Sequence, residues 1–235
     1  MKNLIPFLII SILAACGQSD NKQIGQEELA PINFCSIDDS NQTAIIYAPT
    51  YNKALFDSLD KKYSSDSFSS YENKYFEYIT NLFDSLPILA IDEYESDNGF
   101  FNALTRGQKI FYCVLTFDGE VDNGGVWQFF FNKPELCFAT LESLKELKLD
   151  TLAQVYQKCL DEFIGSSDSY SKRKTIFNND KVNWEKRWNS FSEGYEDIKS
   201  AKALEDYFYK EEFKKNFYKS IVDYIESHLE QFVKK

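Results

Sequence analysis

Three carboxylates crowd one short stretch of this sequence, Asp118-Gly119-Glu120-Val121-Asp122-Asn123-Gly124-Gly125-Val126-Trp127-Gln128-Phe129-Phe130-Phe131-Asn132. Alternating oxygen donors of this kind begin a calcium loop, which also requires glycine at its sixth position and glutamate at its twelfth. Asp118, Glu120 and Asp122 fill the first three ligand positions, but the sixth residue is Asn123 and the twelfth is Phe129. Calcium is therefore not expected. Paired carboxylates can also share acid and base work if their surroundings drive their pKa values apart. Asp118 and Asp122, four residues apart, would share a helix face while Glu120 points elsewhere, and the sequence offers no pocket for them. A metal-dependent hydrolase using Asp118, Glu120 and Asp122 stays only as an alternative. There is no C-x-x-C pair, no G-x-S-x-G, no P-loop and no dinucleotide fingerprint. The single histidine, His228, falls between Ile225 and Leu229 on an apolar stripe and reads as a core-edge residue. No catalytic residue, metal or cofactor is expected, and the chain reads as non-enzymatic.

The other chemically loaded residue is Cys16. Lys2 is followed by an apolar run from Leu4 to Leu13, shorter than the roughly 20 residues that a membrane-spanning helix needs. A basic start, a short apolar stretch and small residues at its end describe a secretory leader. Here the end is Leu13-Ala14-Ala15-Cys16, a lipobox, in which the cysteine thiol takes up diacylglycerol and becomes the first residue after cleavage. Fatty acyl chains such as palmitate then anchor the protein without any spanning helix. The expected organisation is a lipoprotein signal peptide over 1–15, the lipidated cysteine and a flexible polar tether over 16–46, and one domain over 47–235. The expected location is the cell envelope, anchored to the inner or outer membrane.

The domain that must position the carboxylates reads as all-α, with about seven to nine helices. Phe213, Phe217, Ile221, Ile225, Leu229 and Phe232 form one continuous helical stripe, and Leu152, Val155, Tyr156, Cys159, Leu160 and Phe163 a second that ends at Gly165. Leu141 and Leu144 lie on a helix opening at Pro134; Tyr75, Ile79, Leu82, Phe83 and Leu86 lie on another, closed by Pro87. Leu104, Ile110, Phe111, Val114 and Leu115 predict a helix running up to Asp118. From there the two glycines after Asn123 predict a bend and a second short helix. Its amides, Gln128 and Asn132, are expected to bond backbone groups freed at the bend. Ala44-Ile45-Ile46-Tyr47 could be a short strand, and the Ser- and Asn-rich stretch 165–182, with Lys172-Arg173-Lys174, reads as an exposed loop. Cys35, Cys113, Cys137 and Cys159 are even in number, which permits disulfides in an exported protein. Cys137 and Cys159 are the pair on neighbouring helices, although the last three cysteines also fit as small core residues.

Asn102-Ala103-Leu104-Thr105-Arg106-Gly107-Gln108, the Asp118–Gly125 stretch and Gln128-Phe129-Phe130-Phe131-Asn132 resemble the DMP19-like domain, also called DUF4375. The resemblance continues through Trp184 and Trp188, then Leu204 and Tyr207, to Glu230-Gln231-Phe232-Val233, and covers roughly residues 70–233. Its motif positions here are Asp118, Gly119, Glu120, Asn123, Gly124, Gly125, Gln128, Phe130 and Asn132. The resemblance implies a helical domain and carries over no catalytic residue. The family's namesake is a DNA mimic whose acidic surface occupies a DNA-binding protein's site.

Charge separates the remaining possibilities. The sequence holds 26 Lys and Arg against 37 Asp and Glu, for a net charge of −11, and loss of the leader with Lys2 makes it −12. Nucleic acid is not an expected ligand, because phosphate binding needs a basic footprint. The acidity is patchy: residues 57–97 carry ten acids against three lysines, 193–230 ten against six, and 166–190 is basic, six against three. The leading expectation is a lipid-anchored module that binds a protein partner through an acidic surface, which would suit a basic one. DNA mimicry is an alternative that an exported location disfavours. A third is a structural part of an envelope complex, with the aromatics of helix 70–86 as its contact face.

Overall fold

The computed structural model describes residues 31–38, 53–63, 72–84, 97–180 and 182–232. The leader, Cys16, most of the tether and the proposed strand at 44–47 lie outside them. Ten α-helices make up the described chain: α1 (Lys53–Lys62), α2 (Lys74–Asp84), α3 (Asp97–Ala103), α4 (Arg106–Asn132), α5 (Cys137–Glu146), α6 (Asp150–Gly165), α7 (Ser167–Asn179), α8 (Trp184–Ser192), α9 (Ala201–Phe208) and α10 (Glu211–Ser227). Three 3-10 turns, Pro134–Leu136, Glu193–Asp197 and Leu229–Gln231, join or end them. The described residues contain no strand, so the all-α expectation holds. No described helix is long and apolar enough to cross a membrane.

Helix α4 is the axis of the domain, and its sequence shows why. Apolar residues cover most of its surface, from Ile110, Phe111, Cys113 and Val114 through Phe117 and Val121 to Trp127, Phe129, Phe130 and Phe131, all buried, while Gly119, Asn123 and Asn132 stay exposed. A helix with so wide an apolar face must be packed on several sides. Thr105 starts it with a capping box, its hydroxyl accepting from the Gln108 N–H while the Gln108 side chain accepts from the Thr105 N–H. The last described turn is pinned to this start: the Thr105 hydroxyl donates to the Gln231 carbonyl (2.8 Å) and the Gly107 N–H to the Gln231 side chain (2.5 Å).

Aromatic side chains fill the space between α4 and its neighbours. Phe117 meets Phe129, Tyr156 and Phe208 edge-on; Phe130 stacks on Phe163 at 4.7 Å; Phe131 packs against Tyr170, Phe177 and Phe191. Each buried ring contributes about 1.5–3 kcal/mol of transfer free energy, so this cluster accounts for much of the driving force. The α5–α6 pair is tied by the Tyr156 hydroxyl donating to the Cys137 carbonyl (2.8 Å). Cys35, Cys113, Cys137 and Cys159 are buried and no disulfide links them. Burial pushes the Cys137 and Cys159 thiols up to about 12, which leaves them inert core groups.

Several expectations change. The stretch 165–182 is no loop: Ser167–Asn179 is helix α7, because Tyr170 and Phe177 reach the Phe131 cluster and give the segment a buried side. Its basic cluster is divided accordingly. Arg173 bonds Glu193 and Asp197, Lys174 caps a carbonyl of α4, and Lys172 is exposed. The last helix stops at Ser227 rather than running on to Phe232, since His228 leaves helical geometry and stacks on Tyr224 at 4.1 Å. Among the described side chains of α2, Tyr78 packs against Phe56 and Phe76 against Tyr218, so these two face the core and not an exposed contact surface. Within the segment expected as tether, residues 31–38 lie against the domain. Cys35 donates its N–H to the Glu135 carbonyl (2.8 Å), Phe34 packs on Phe138, and Asp38 pairs with the fully buried Lys109.

Gly194 permits the close approach of the Glu193–Asp197 turn to α4. A Cβ there would fall 2.0 Å from the Trp127 ring, and that indole is fully buried with its N–H bonded to the Phe191 carbonyl (2.8 Å). Gly194→Ala should destabilise the domain by about 1–3 kcal/mol through overpacking, read as a lowered midpoint in denaturant unfolding at unchanged slope.

Candidate functional site

The Asp118–Asn132 stretch bends α4 at two glycines. Gly124 (φ −164°, ψ 26°) and Gly125 (φ 78°, ψ 176°) both leave helical geometry. Gly125 lies in the left-handed region that a side chain disfavours, and a Cβ on it would also meet the Glu205 carboxylate at 2.4 Å. The bend is part-buried, with Asn123 exposed and Gly125 and Val126 buried, and it frees backbone groups that gain from protein partners. Three side chains from the Glu193–Asp197 turn and α9 supply them. Tyr195 donates to the Gly124 carbonyl (2.6 Å), Tyr209, just beyond α9, to the Val121 carbonyl (2.6 Å), and Glu205 accepts the Val126 N–H (2.9 Å). Glu205 thereby caps the helix that resumes at Val126, where a negative group is favoured.

The motif amides do something other than expected. Gln128 and Asn132 both donate to one oxygen of Glu120, each at 2.9 Å. The Glu120 carboxylate therefore spans the bend and fixes its angle, while the freed backbone groups go to the tyrosines and Glu205. Gly124 leaves room for this arrangement, since a Cβ there would sit 2.0 Å from the Gln128 side-chain oxygen. At the far end of α4, Lys174 donates to the Phe131 carbonyl (2.6 Å) with its ammonium 4.1 Å over the Phe131 ring. Burial pulls the Lys174 ammonium down to about 8.

On another face of the same helix, Asp118 and Asp122 grip Lys214 from α10. The ammonium lies 2.6 Å from Asp118 and 2.8 Å from Asp122, and 3.7 Å over the Phe208 ring. The Tyr218 hydroxyl donates to Asp118 (3.1 Å). Lys214 is fully buried and Asp118 nearly so. The carboxylates at 118, 120 and 122 therefore do not converge: two hold a lysine and the third holds two amides. Among the described residues, no group of three or more His, Cys, Asp or Glu is placed to hold a metal ion. Of the other motif residues, Gly119 and Asn123 are exposed, and Phe130 is core.

Sequence reasoning missed Lys214, Glu205, Tyr195 and Tyr209, the groups that hold the bend. One signal was present: Lys214 is in line with Tyr218, Val222 and Ile225 at helical spacing, a lysine on a buried row. A second feature is the outer side of α8. Trp184 and Trp188 are exposed and stacked at 6.3 Å. The ladder continues inward through Phe191 to Trp127 and along the helix to Tyr195, so it ends at the bend. Across α8 from the tryptophans, Ile176, Asn183, Lys186, Asn189 and Glu193 line an open hollow of about 270 Å³, slightly below the ~300–1,000 Å³ of small-molecule pockets.

Burial raises the Asp118 carboxyl to about 6; Lys214 opposes the rise and the Asp122 charge adds to it. The unfolded chain titrates this group near ~3.9, so folding takes up a proton between the two values. The contribution of Asp118 to stability is present below the unfolded value and is lost as pH rises through about 6. Asp118→Asn cannot titrate and should lack that decline. Unfolding free energies measured from pH 4 to 7 should show the native protein losing stability relative to the variant as pH rises, and parallel curves would count against the assignment.

The profile described as DMP19-like protein matches residues 102–228, more than half of the 235-residue chain. The match begins in α3 and ends at His228, leaving α1, α2 and residues 31–38 outside it. Neither the curated proteins nor the solved structures include a match to this chain.

Proposed function

The chain belongs to the DMP19-like family, and from that premise we propose that it is an exported, lipid-anchored, non-enzymatic domain that binds a basic protein partner through its acidic surface. The observation that carries the binding part is where the exposed acidity lies. The motif carboxylates Asp118, Glu120 and Asp122 are committed to internal partners, whereas Glu211, Glu212 and Glu230 are exposed on α10 and the turn after it, beside the surface ion pairs Lys202–Asp206 and Lys219–Asp223. With a net charge of −11, such a surface attracts a cationic protein and speeds the encounter. The rigid aromatic core beneath gives these helices a fixed geometry.

The anchor rests on Leu13-Ala14-Ala15-Cys16. An acylated Cys16 holds the domain in the envelope, where cytoplasmic DNA-binding proteins are absent, and this separates the present reading from DNA mimicry. Cys16→Ser should accumulate as an unprocessed precursor that takes up no labelled fatty acid; normal maturation of that variant would remove the anchor from the proposal.

Partner binding has its own test. The full-length protein, immobilised from detergent-solubilised envelopes, should retain a basic protein at low salt and release it at about 0.5–1 M salt, where the screening length falls to roughly 3 Å. Charge reversal of Glu211 and Glu212 to Lys should abolish the capture. Retention that is insensitive to both salt and charge reversal would sink the acidic-surface reading.

A further inference from the structure

Residues 31–38 belong to the stretch between Cys16 and the first helix, yet they are seated on the domain as a strap without regular secondary structure. Ile32, Cys35 and Ile37 pack against the core, while Asn33 and Ser36 are exposed. Cys35 is only 7% exposed, and its N–H donates to the Glu135 carbonyl (2.8 Å). Phe34 meets Phe138 of α5 edge-on at 4.8 Å. Charge secures the other end. Lys109, near the start of α4, is fully buried with its ammonium 5.7 Å from the centre of the Phe101 ring. Among the described residues, the carboxylate paired with it is Asp38 of the strap. A buried ammonium stripped of its anion is a worse state than either the pair or an apolar replacement of the lysine. Lys109 therefore holds the strap by its Asp38 end.

We propose that the strap is a clasp that shortens the domain's leash to the membrane, with the Asp38–Lys109 pair as its catch. Seated, it makes the chain leave the domain at Pro31, so that residues 17–30 separate the domain from Cys16. Unseated, residues 17–52 separate Cys16 from α1. At ~3.3–3.6 Å per residue the shorter chain spans at most about 50 Å and the longer about 125 Å. The length of that leash decides which partners beside the bilayer the acidic surface can reach, and how concentrated it is for them. The rim of the strap is open to water, with Phe34 40% exposed and the Asp38 side chain 51%, so the strap lifts while α4, α5 and α6 stay packed. The inference rests on the lipid-anchored reading for the leash, and on the strap's own contacts for the clasp.

Alkylation of the full-length protein by iodoacetamide in mild detergent, located by peptide mass spectrometry, reads the clasp. Cys35 should be protected together with Cys113, Cys137 and Cys159, all four being buried. Lys109→Met, which removes the buried charge along with the catch, should let Cys35 react several-fold faster while the other three stay protected. Ile37→Ser, confined to the strap, should do the same, and it decides the matter if Lys109→Met opens the core. Cys35 that reacts as fast in the unaltered chain as in the variants overturns the clasp, and so does Cys35 that stays protected in both variants. The leash is read on the acylated protein in vesicles that carry dansylated lipid headgroups. Energy transfer from tryptophan to dansyl should fall by about twofold or more in either variant, since the mean reach of a chain grows with its length. Unchanged transfer with Cys35 exposed keeps the clasp and overturns its control of reach. An unaltered chain that does not float with the vesicles removes the anchor and the leash with it, while the alkylation result stands on its own.

Discussion

A core helix that bends in its middle sets the terms for everything around it. The turn at Gly124 and Gly125 takes the Val121 and Gly124 carbonyls and the Val126 N–H out of regular helical bonding, at a site only partly shielded from water. Tyr209, Tyr195 and Glu205 meet those needs from outside the helix. The two tyrosines are in turn held in place by packing: Tyr195 by Phe191, and Tyr209 by Phe208. The bend is therefore a joint that recruits the 3-10 turn and α9 to α4. Its own sequence supplies only the Glu120 clamp on Gln128 and Asn132.

The buried lysine extends the same logic. Asp118 and Asp122 lie one turn apart, just before the bend, and Lys214 reaches them from α10 across the Phe208 ring. Breaking such a pair from one side leaves an uncompensated charge in the core, so the arrangement specifies how α10 sits against α4 more than it stabilises the fold outright. Carboxylates that look like ligands or catalysts in the sequence thus have positional work. Exposed carboxylates lie on α9 and α10, some of them paired with lysines of the same helix.

Charge and aromaticity are also partitioned. Acidic helices and a basic, tryptophan-bearing hairpin occupy different parts of one domain, and the aromatic ladder Trp184–Trp188–Phe191–Trp127 runs from the hairpin surface to the bend.

The sequence by itself determined the class of fold and the place of the bend. Stripes such as Phe213–Phe217–Ile221–Ile225 have helical period, and two adjacent glycines in an apolar helix leave few alternatives to a kink; both are local properties. The stripe rule failed where local signals were weak or misleading. Ser167–Asn179 looks like a loop by composition and becomes helix α7 because Tyr170 and Phe177 find Phe131, more than thirty-five residues earlier. Phe232 keeps its buried place against Phe111 although its helix ends at Ser227. Only the tertiary structure decided the partners: Lys214 for Asp118 and Asp122, Glu120 for the two amides, Tyr195, Tyr209 and Glu205 for the opened backbone. Those pairings join residues eight to about a hundred apart in the chain. Hydrogen bonds and ion pairs of that reach leave no periodic trace, because they depend on how helices cross rather than on how residues are spaced along one of them.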